Sequence, residues 1–306
     1  MRQVKGLELE LIGVCNARCT FCTYGYVVDQ APKHVTTGEV FPRSKGKMKL
    51  DLIDGIFEVH VPNHIICAGI DEPFLAPDRI RYIMEKGRGK QYDFLGTKAM
   101  SLAFYTNGNL VTEDIAKDIL NYPGLGSVSF SFNAADDETR QEVMGIPLTP
   151  AKENYIRFLE LRRELGREGD VHVSNTHIIT PQTKNKQEQY KTMILEMNSG
   201  YTNVPEPGLY NPTNWGGDLN PQWTKITRRN IGTCGQWPSM AISVNVDGHI
   251  KLCCYNTRWT FGHILDPEAV ASFLDRNATY GITDHTNGAQ YPHLCADCDG
   301  RHETVY

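Results

Sequence analysis

From Leu7 to about Pro205, short runs rich in apolar, β-branched and aromatic residues alternate with longer stretches in which apolar positions recur every three or four residues. The first pattern suits buried strands and the second amphipathic helices. Strands are predicted at Leu7–Gly13, His64–Ala68, Leu102–Thr106, Val128–Phe132, Val171–Ile179 and Tyr201–Pro205. Helices are predicted at Asp51–His60, Pro77–Lys86, Glu113–Asn121, Pro150–Leu165 and Lys184–Met197. This alternation implies an α/β class with a parallel sheet. Six units fall short of the eight of a closed barrel, so the expected architecture is an open, partial (β/α)6 TIM-type barrel over residues 1–210. Around Asn211–Asn220 the chain turns to Pro, Asn, Gly and Trp (NPTNWGGDLNP), the composition of a linker. Beyond it, Ala241–Val246 and His249–Cys253 flank Asp247-Gly248 as a hairpin, and a helix is expected over Pro267–Asp275. Residues 211–306 are therefore read as a small α+β domain.

Composition narrows the function classes. With 40% hydrophobic and 22% charged residues in 306, the chain can bury a sizeable core and is not disordered. The net charge is −5 and the only basic stretch is Arg43–Lys49, so neither nucleic acid nor an anionic membrane is an expected partner. No apolar run approaches the ~20 residues of a membrane span. Glu8 and Glu10 interrupt the apolar core a signal peptide needs, and a cytoplasmic location is expected. Cysteine changes the picture most. Cys15, Cys19 and Cys22 cluster near the start, Cys234, Cys253, Cys254, Cys295 and Cys298 fall in the last quarter, and Cys67 stands alone. Close-set cysteines without a secretion signal favour metal over disulfides.

The first group, Cys15-Asn-Ala-Arg-Cys19-Thr-Phe-Cys22, is a C-x3-C-x2-C motif just after the first strand. Three thiolates on one loop can hold a cubane and leave its fourth iron open, as catalytic metal sites leave a position open. A zinc knuckle would want a fourth ligand, and no Cys or His follows before His34. The motif, with Phe21 before its last cysteine, resembles the radical S-adenosylmethionine (SAM) superfamily. That resemblance implies a 4Fe–4S cluster on Cys15, Cys19 and Cys22 whose open iron chelates the amino and carboxylate groups of SAM. It also gives meaning to Gly69-Ile-Asp71-Glu72-Pro73 after the second strand. The segment is similar to the family's Gly-Gly-Glu-Pro element, which receives the SAM amino group, although Ile70 and Asp71 replace its usual glycines. Thr106, in the Tyr-Thr-Asn-Gly turn ending the third strand, lies where α/β folds bind ligands. On the fourth strand, period two puts Ser129, Ser131 and Asn133 on one face and Val128, Phe130 and Phe132 on the other. A polar face is unusual for a parallel strand, and in the family this strand contacts SAM, so Ser131 and Asn133 join the candidates. On the fifth strand His172, Ser174 and Thr176 share one face, Asn175 and His177 the other; which points inward is left open.

The second group resembles the Twitch domain, the short form of the SPASM auxiliary-cluster domain. The likeness rests on Cys234, Cys253 and Cys295-Ala-Asp-Cys298, with Asn214-Trp-Gly-Gly, Val246-Asp-Gly and Gly262-His-Ile around them. It implies a second, auxiliary 4Fe–4S cluster; a zinc ribbon is the alternative. Cys253 and Cys254 compete for one ligand position, since successive strand residues face opposite ways. Cys253 has the spacing from the turn seen in related sequences, which leaves Cys254 as packing or as a hydrogen-atom donor.

The resemblance implies an enzyme that receives an electron from a flavodoxin- or ferredoxin-type donor and cleaves SAM to a 5′-deoxyadenosyl radical. The leading expectation is dehydrogenation of a small polar metabolite, the substrate radical giving its electron to the auxiliary cluster. Peptide modification, such as a crosslink or an epimerisation with Cys254 or Cys67 as donor, is the alternative, and a non-enzymatic iron–sulfur or zinc protein the third. The residues from Tyr24 to Lys47 form an insert that either contacts an anionic group through Lys33, His34 or Arg43 or is a solvated loop.

Overall fold

The computed structural model describes residues 4, 6–23, 32–41, 43–88, 99–204, 206–211, 225–229, 241–254, 256–279 and 302–305. Its centre is a run of parallel strands: β1 (Gly6–Leu9), β3 (His64–Cys67), β4 (Ser101–Thr106), β5 (Leu125–Ser131), β6 (His172–Ile178) and the two-residue β7 (Leu209–Tyr210). Each pairs in parallel with the next in that order. The crossovers carry helices α1 (Leu50–Val59), α2 (Pro77–Gly87), α3 (Glu113–Leu120), α4 (Asp137–Met144), α5 (Thr149–Glu164) and α6 (Gln187–Asn198). Leu7, Leu9, Ile65, Cys67, Leu102, Phe104, Val128, Phe130 and Val173 all join the main apolar core together with the buried faces of these helices. Alternation then sends Glu8, Ile66, Tyr105 and Ser131 to the other, concave side.

The C-terminal segment is joined to this sheet through its ladder. β9 (Ala241–Val244) pairs in parallel with β1, and β10 (His249–Cys253) returns antiparallel to β9 around the Asp247-Gly248 turn. β11 (Asn256–His263) and the two-residue β2 (Lys33–His34) follow, and α7 (Pro267–Thr279) packs against β11. Among the described residues the strand order is β2-β11-β10-β9-β1-β3-β4-β5-β6-β7, a linear order that does not close on itself. A separate antiparallel pair joins β8 (Lys225–Arg229) to β12 (His302–Val305).

Three expectations need correction. Tyr201 to Val204 is not a strand. Asn203 has a positive φ of 51°, and the Thr202 and Asn203 carbonyls accept from the buried Arg162 guanidinium at 3.0 and 3.1 Å, so they are not available to a ladder. The last parallel strand is instead Leu209–Tyr210. The first strand ends at Leu9 rather than Gly13, because the Leu11 and Ile12 amides donate to Asp71 Oδ2 at 2.8 and 3.2 Å. Over its described part the insert before the first helix is not a free loop, and Arg43 is not available to an external anion. Arg43 makes a 2.9 Å ion pair with fully buried Glu10, and Lys33–His34 pairs with β11. α4 was not anticipated, since its first turns (Asp-Glu-Thr-Arg-Gln-Glu) carry no apolar residue.

Candidate active site

The carboxyl ends of β1, β3, β4 and β5 surround a cavity of about 510 Å³. One wall is the loop after β1, with Cys15, Ala17, Cys19, Phe21 and Cys22. Gly69, Asp71 and Glu72 after β3, Thr106 and Asn107 after β4, and Ser131 and Asn133 after β5 complete that half. The rest of the lining comes from Glu8 and Tyr105 and from the C-terminal segment, through Ala241, Ser243, Cys254 and Phe273. Ligands of open α/β sheets bind at this edge.

The cysteine loop is held by α4. Asp136 caps that helix by accepting from the Thr139 amide at 2.8 Å, and Gly145 ends it in the left-handed conformation. Its last turn then accepts from the loop: Arg18 N donates to Met144 O at 2.7 Å and Thr20 N to Val143 O at 2.9 Å. Phe21 is buried with Ala17, Val143, Met144 and Ile146, a small apolar cluster beneath Cys15 and Cys19. Burial pushes the Cys15 thiol up to about 12 and the Cys19 thiol well above its usual value, with Cys22 and Cys15 adding to the latter. These thiols are held protonated unless a metal draws off the proton. Among the described residues no three Cys, His, Asp or Glu side chains converge tightly enough for one ion. A cubane places its thiolates on different irons and makes no such demand.

Glu72 is fixed from three sides. It accepts from Thr106 Oγ1 at 2.7 Å, from the Asn107 amide at 2.8 Å and from the Phe74 amide at 3.3 Å. Burial raises it to about 7, with those hydrogen bonds pulling the other way. Asp71 is in the cavity wall, but its carboxyl clamps the β1 amides; burial and then the Glu10 charge push it well above the carboxylate range. Gly69, at φ 155°, lies against Glu10, where an added Cβ would come within 2.3 Å of Glu10 Cγ. Pro73 opens a 3-10 turn, Pro73–Leu75, and does not line the cavity. Asn133 has φ 56°; its Oδ1 accepts from the Ile178 amide at 2.9 Å and its Nδ2 contacts Met144 Sδ at 3.6 Å. On β6, Asn175 and His177 face the helices, where the His177 ring lies tilted against Tyr190 with centroids 4.4 Å apart.

A family model described as "Radical SAM superfamily" matches residues 9–193, more than half of the chain. The chain belongs to the radical SAM superfamily. Solved structures share its fold at low identity. One of them, "Native anSMEcpe with bound AdoMet and Cp18Cys peptide", matches at 15% identity and TM-score 0.59, over 96% of this chain and 88% of that one. SuiB of Streptococcus suis bound to its precursor peptide SuiA matches at 12% identity and TM-score 0.58, over 97% and 70%. BtrN in complex with AdoMet and 2-DOIA matches at 15% identity and TM-score 0.54, over 97% and 94%. No curated protein matches the sequence.

Membership in the radical SAM superfamily implies SAM and a 4Fe–4S cluster, and the residues present suit both. Besides the three thiols, fully buried Arg140 on α4 donates through Nη2 to the Asn107 carbonyl, while its Nε and Nη1 have no hydrogen-bond partner among the described residues. Burial lowers Arg140 to about 10, and Cys19, Asp137 and Glu72 act in the opposite direction. Two idle donors on a buried cation beside Cys19 are what an anionic thiolate cluster would relieve. Sequence reasoning missed Arg140 because α4 was missed, and missed Glu8, Tyr105 and Ser243 because the facing of β1, β4 and β9 depends on register. Cys67 lies in the helix-side core and not in the cavity, so it is no donor candidate. Cys254 does line the cavity. Cys234, Cys295 and Cys298, and residues 214–217, lie outside the described residues, as does the side chain of Cys253 at the end of β10.

Proposed function

We propose that this radical SAM chain dehydrogenates a small polar metabolite in the cavity between the cysteine loop and the C-terminal segment. In this reading Cys15, Cys19 and Cys22 hold the SAM-binding 4Fe–4S cluster, and Cys234, Cys253, Cys295 and Cys298 an auxiliary one in a Twitch-type domain over residues 211–306. The observation that carries it is that one cavity is lined both by the three motif cysteines and by Ser243, Cys254 and Phe273 of the C-terminal segment. A substrate there would touch both halves of the chain. When bound and reduced by a flavodoxin- or ferredoxin-type donor, the cluster and SAM supply the 5′-deoxyadenosyl radical that takes a hydrogen atom from the substrate. The chain's own part is positioning. Glu72, held by Thr106 and Asn107, receives the SAM amino group, Ser131 and Asn133 face the rest of SAM, and Phe21 and Met144 exclude water from the cysteine loop.

The test is iron content coupled to turnover. The reconstituted protein should hold about eight irons, two cubanes' worth. Cys298→Ala should retain about four, cleave SAM and form no product. Stoichiometric zinc in place of the second four irons would reject the auxiliary cluster. A second reading, redox-neutral epimerisation of a peptide residue, is favoured by the place of Cys254 in the cavity wall, where a thiol could return a hydrogen atom. Cys254→Ala separates the two: dehydrogenation survives it, whereas loss of product with undiminished 5′-deoxyadenosine and intact clusters identifies epimerisation.

A further inference from the structure

Glu8 is out of place for a central strand of a parallel sheet, where both faces are ordinarily apolar. β1 is flanked by β9 and β3, with Glu8 level with Ser243 on one side and Ile66 on the other, and all three line the cavity. The Glu8 side chain is only 17% exposed. Its Oε1 accepts from Ser243 Oγ at 2.5 Å and faces Lys251 Nζ at 3.5 Å, whereas Lys251 is closer to Glu10, at 2.8 Å. Its Oε2 makes no hydrogen bond among the described residues, so a carboxylate already turned and fixed by two donors presents one oxygen to the cavity. Tyr105 stands beside it; burial and then the Glu8 charge raise its phenol. Among the described lining residues the acidic side chains are Glu8, Asp71 and Glu72, and none is basic. Asp71 is engaged by the Leu11 and Ile12 amides and Glu72 by Thr106, Asn107 and Phe74. Glu8 is left to meet a ligand in the cavity that the motif cysteines also line.

We infer that Glu8 is a substrate anchor and that the group it takes is a protonated amine. The inference rests on the proposed function only in placing the substrate in this cavity. Ser243 and Lys251 set the rotamer of the carboxylate, and an ammonium on the substrate completes its coordination. A charge-assisted hydrogen bond in such a site discriminates the ammonium from a neutral group of the same shape by about 10- to 100-fold.

The experiment measures binding of simple probes to the reconstituted full-length protein with SAM present, by calorimetry. The probes are cyclohexylamine, cyclohexanol, cyclohexanecarboxylate and an acetylated, amidated Ala-Lys-Ala peptide, so that a small amine and a lysine side chain are distinguished as sources of the ammonium. One of the two amines should bind at least about tenfold tighter than cyclohexanol, and Glu8→Gln should erase that preference while Glu8→Asp keeps part of it. SAM affinity, measured alongside, reports whether each variant is folded, and the amine-to-alcohol ratio of the unaltered protein stands without any variant. Equal binding of amine and alcohol, tightest binding of the carboxylate, no binding of either amine, or a preference that survives in folded Glu8→Gln overturns the anchor. Amine preference in a protein that does not cleave SAM would instead keep the anchor and reject the proposed reaction.

Discussion

At the scale of single residues, burial decides what the ionisable groups can do. Glu72 is raised to about 7, and its proposed contact with the SAM amino group requires the ionised carboxylate. Its folded value lies above that of an ordinary carboxyl, so below pH 7 it holds a proton and its contribution to SAM binding falls. Between pH 6 and 8 the affinity ratio of the unaltered protein to Glu72→Gln should rise about tenfold, as titration with that midpoint requires; parallel curves would remove Glu72 from the site. His177 works with the opposite sign. Burial lowers it to about 4, so folding favours the neutral ring. The stability this gives is present above the unfolded value near 6.5 and is lost as pH falls toward 4. Unfolding in urea should show about 2 kcal/mol less acid loss between pH 7 and 5 for His177→Phe than for the unaltered protein. An equal loss in both would place the acid sensitivity elsewhere. Residue types with a motif around them were legible in the sequence: Cys15, Cys19, Cys22, Glu72, Thr106, Ser131 and Asn133 all reach the cavity wall. Glu8 was not, because a lone carboxylate on a four-residue strand has no meaning until Ser243, more than two hundred residues away, is seen beside it.

At the scale of elements, strong periodicity translated directly into α1, α2, α3, α5 and α6, each with a row of apolar residues buried against the sheet. α4 shows what periodicity cannot reveal. Its apolar residues, Val143 and Met144, come only in its last turn, and its ends are fixed by Asp136 and Gly145 instead. Because that last turn accepts from the Arg18 and Thr20 amides, the cap acts on the cysteine loop through the helix. Asp136→Ala should lower stability by about 1 kcal/mol, the usual cost of losing an N-cap, and Asp136→Ser should recover most of it. Thermal unfolding of the two variants is the check, and equal midpoints would deny the cap its role. The difference at Tyr201 to Val204 has the same root: apolar content suggests a strand, while Arg162, 40 residues before Thr202 and 41 before Asn203, claims the carbonyls a ladder would need.

For the whole molecule, the parallel sheet and the place of the cavity at its carboxyl edge followed from the alternation of strand and helix patterns, whereas the joining of the C-terminal segment to β1 did not. That joint is a β9–β1 ladder backed by a buried ion network. Burial works against the charge of Glu10, and Arg43 and Lys251 more than offset it, holding the carboxyl below its usual range. Lys251→Met leaves Glu10 buried with one cation fewer and should destabilise the protein by about 3 kcal/mol, with Glu10→Gln in the same chain restoring part of the loss. Denaturant unfolding of the single and double variants would show this; an unchanged midpoint for Lys251→Met would mean the network is not structural. Under the proposed function SAM is cleaved at the part of the cavity lined by Cys15, Cys19 and Cys22. The most direct measurement is 5′-deoxyadenosine released from SAM by the anaerobically reconstituted, dithionite-reduced protein. The unaltered chain should release it together with methionine, and Cys19→Ala should release none. Release by Cys19→Ala at the unaltered rate, or none from the unaltered protein with its cluster intact, would contradict the account.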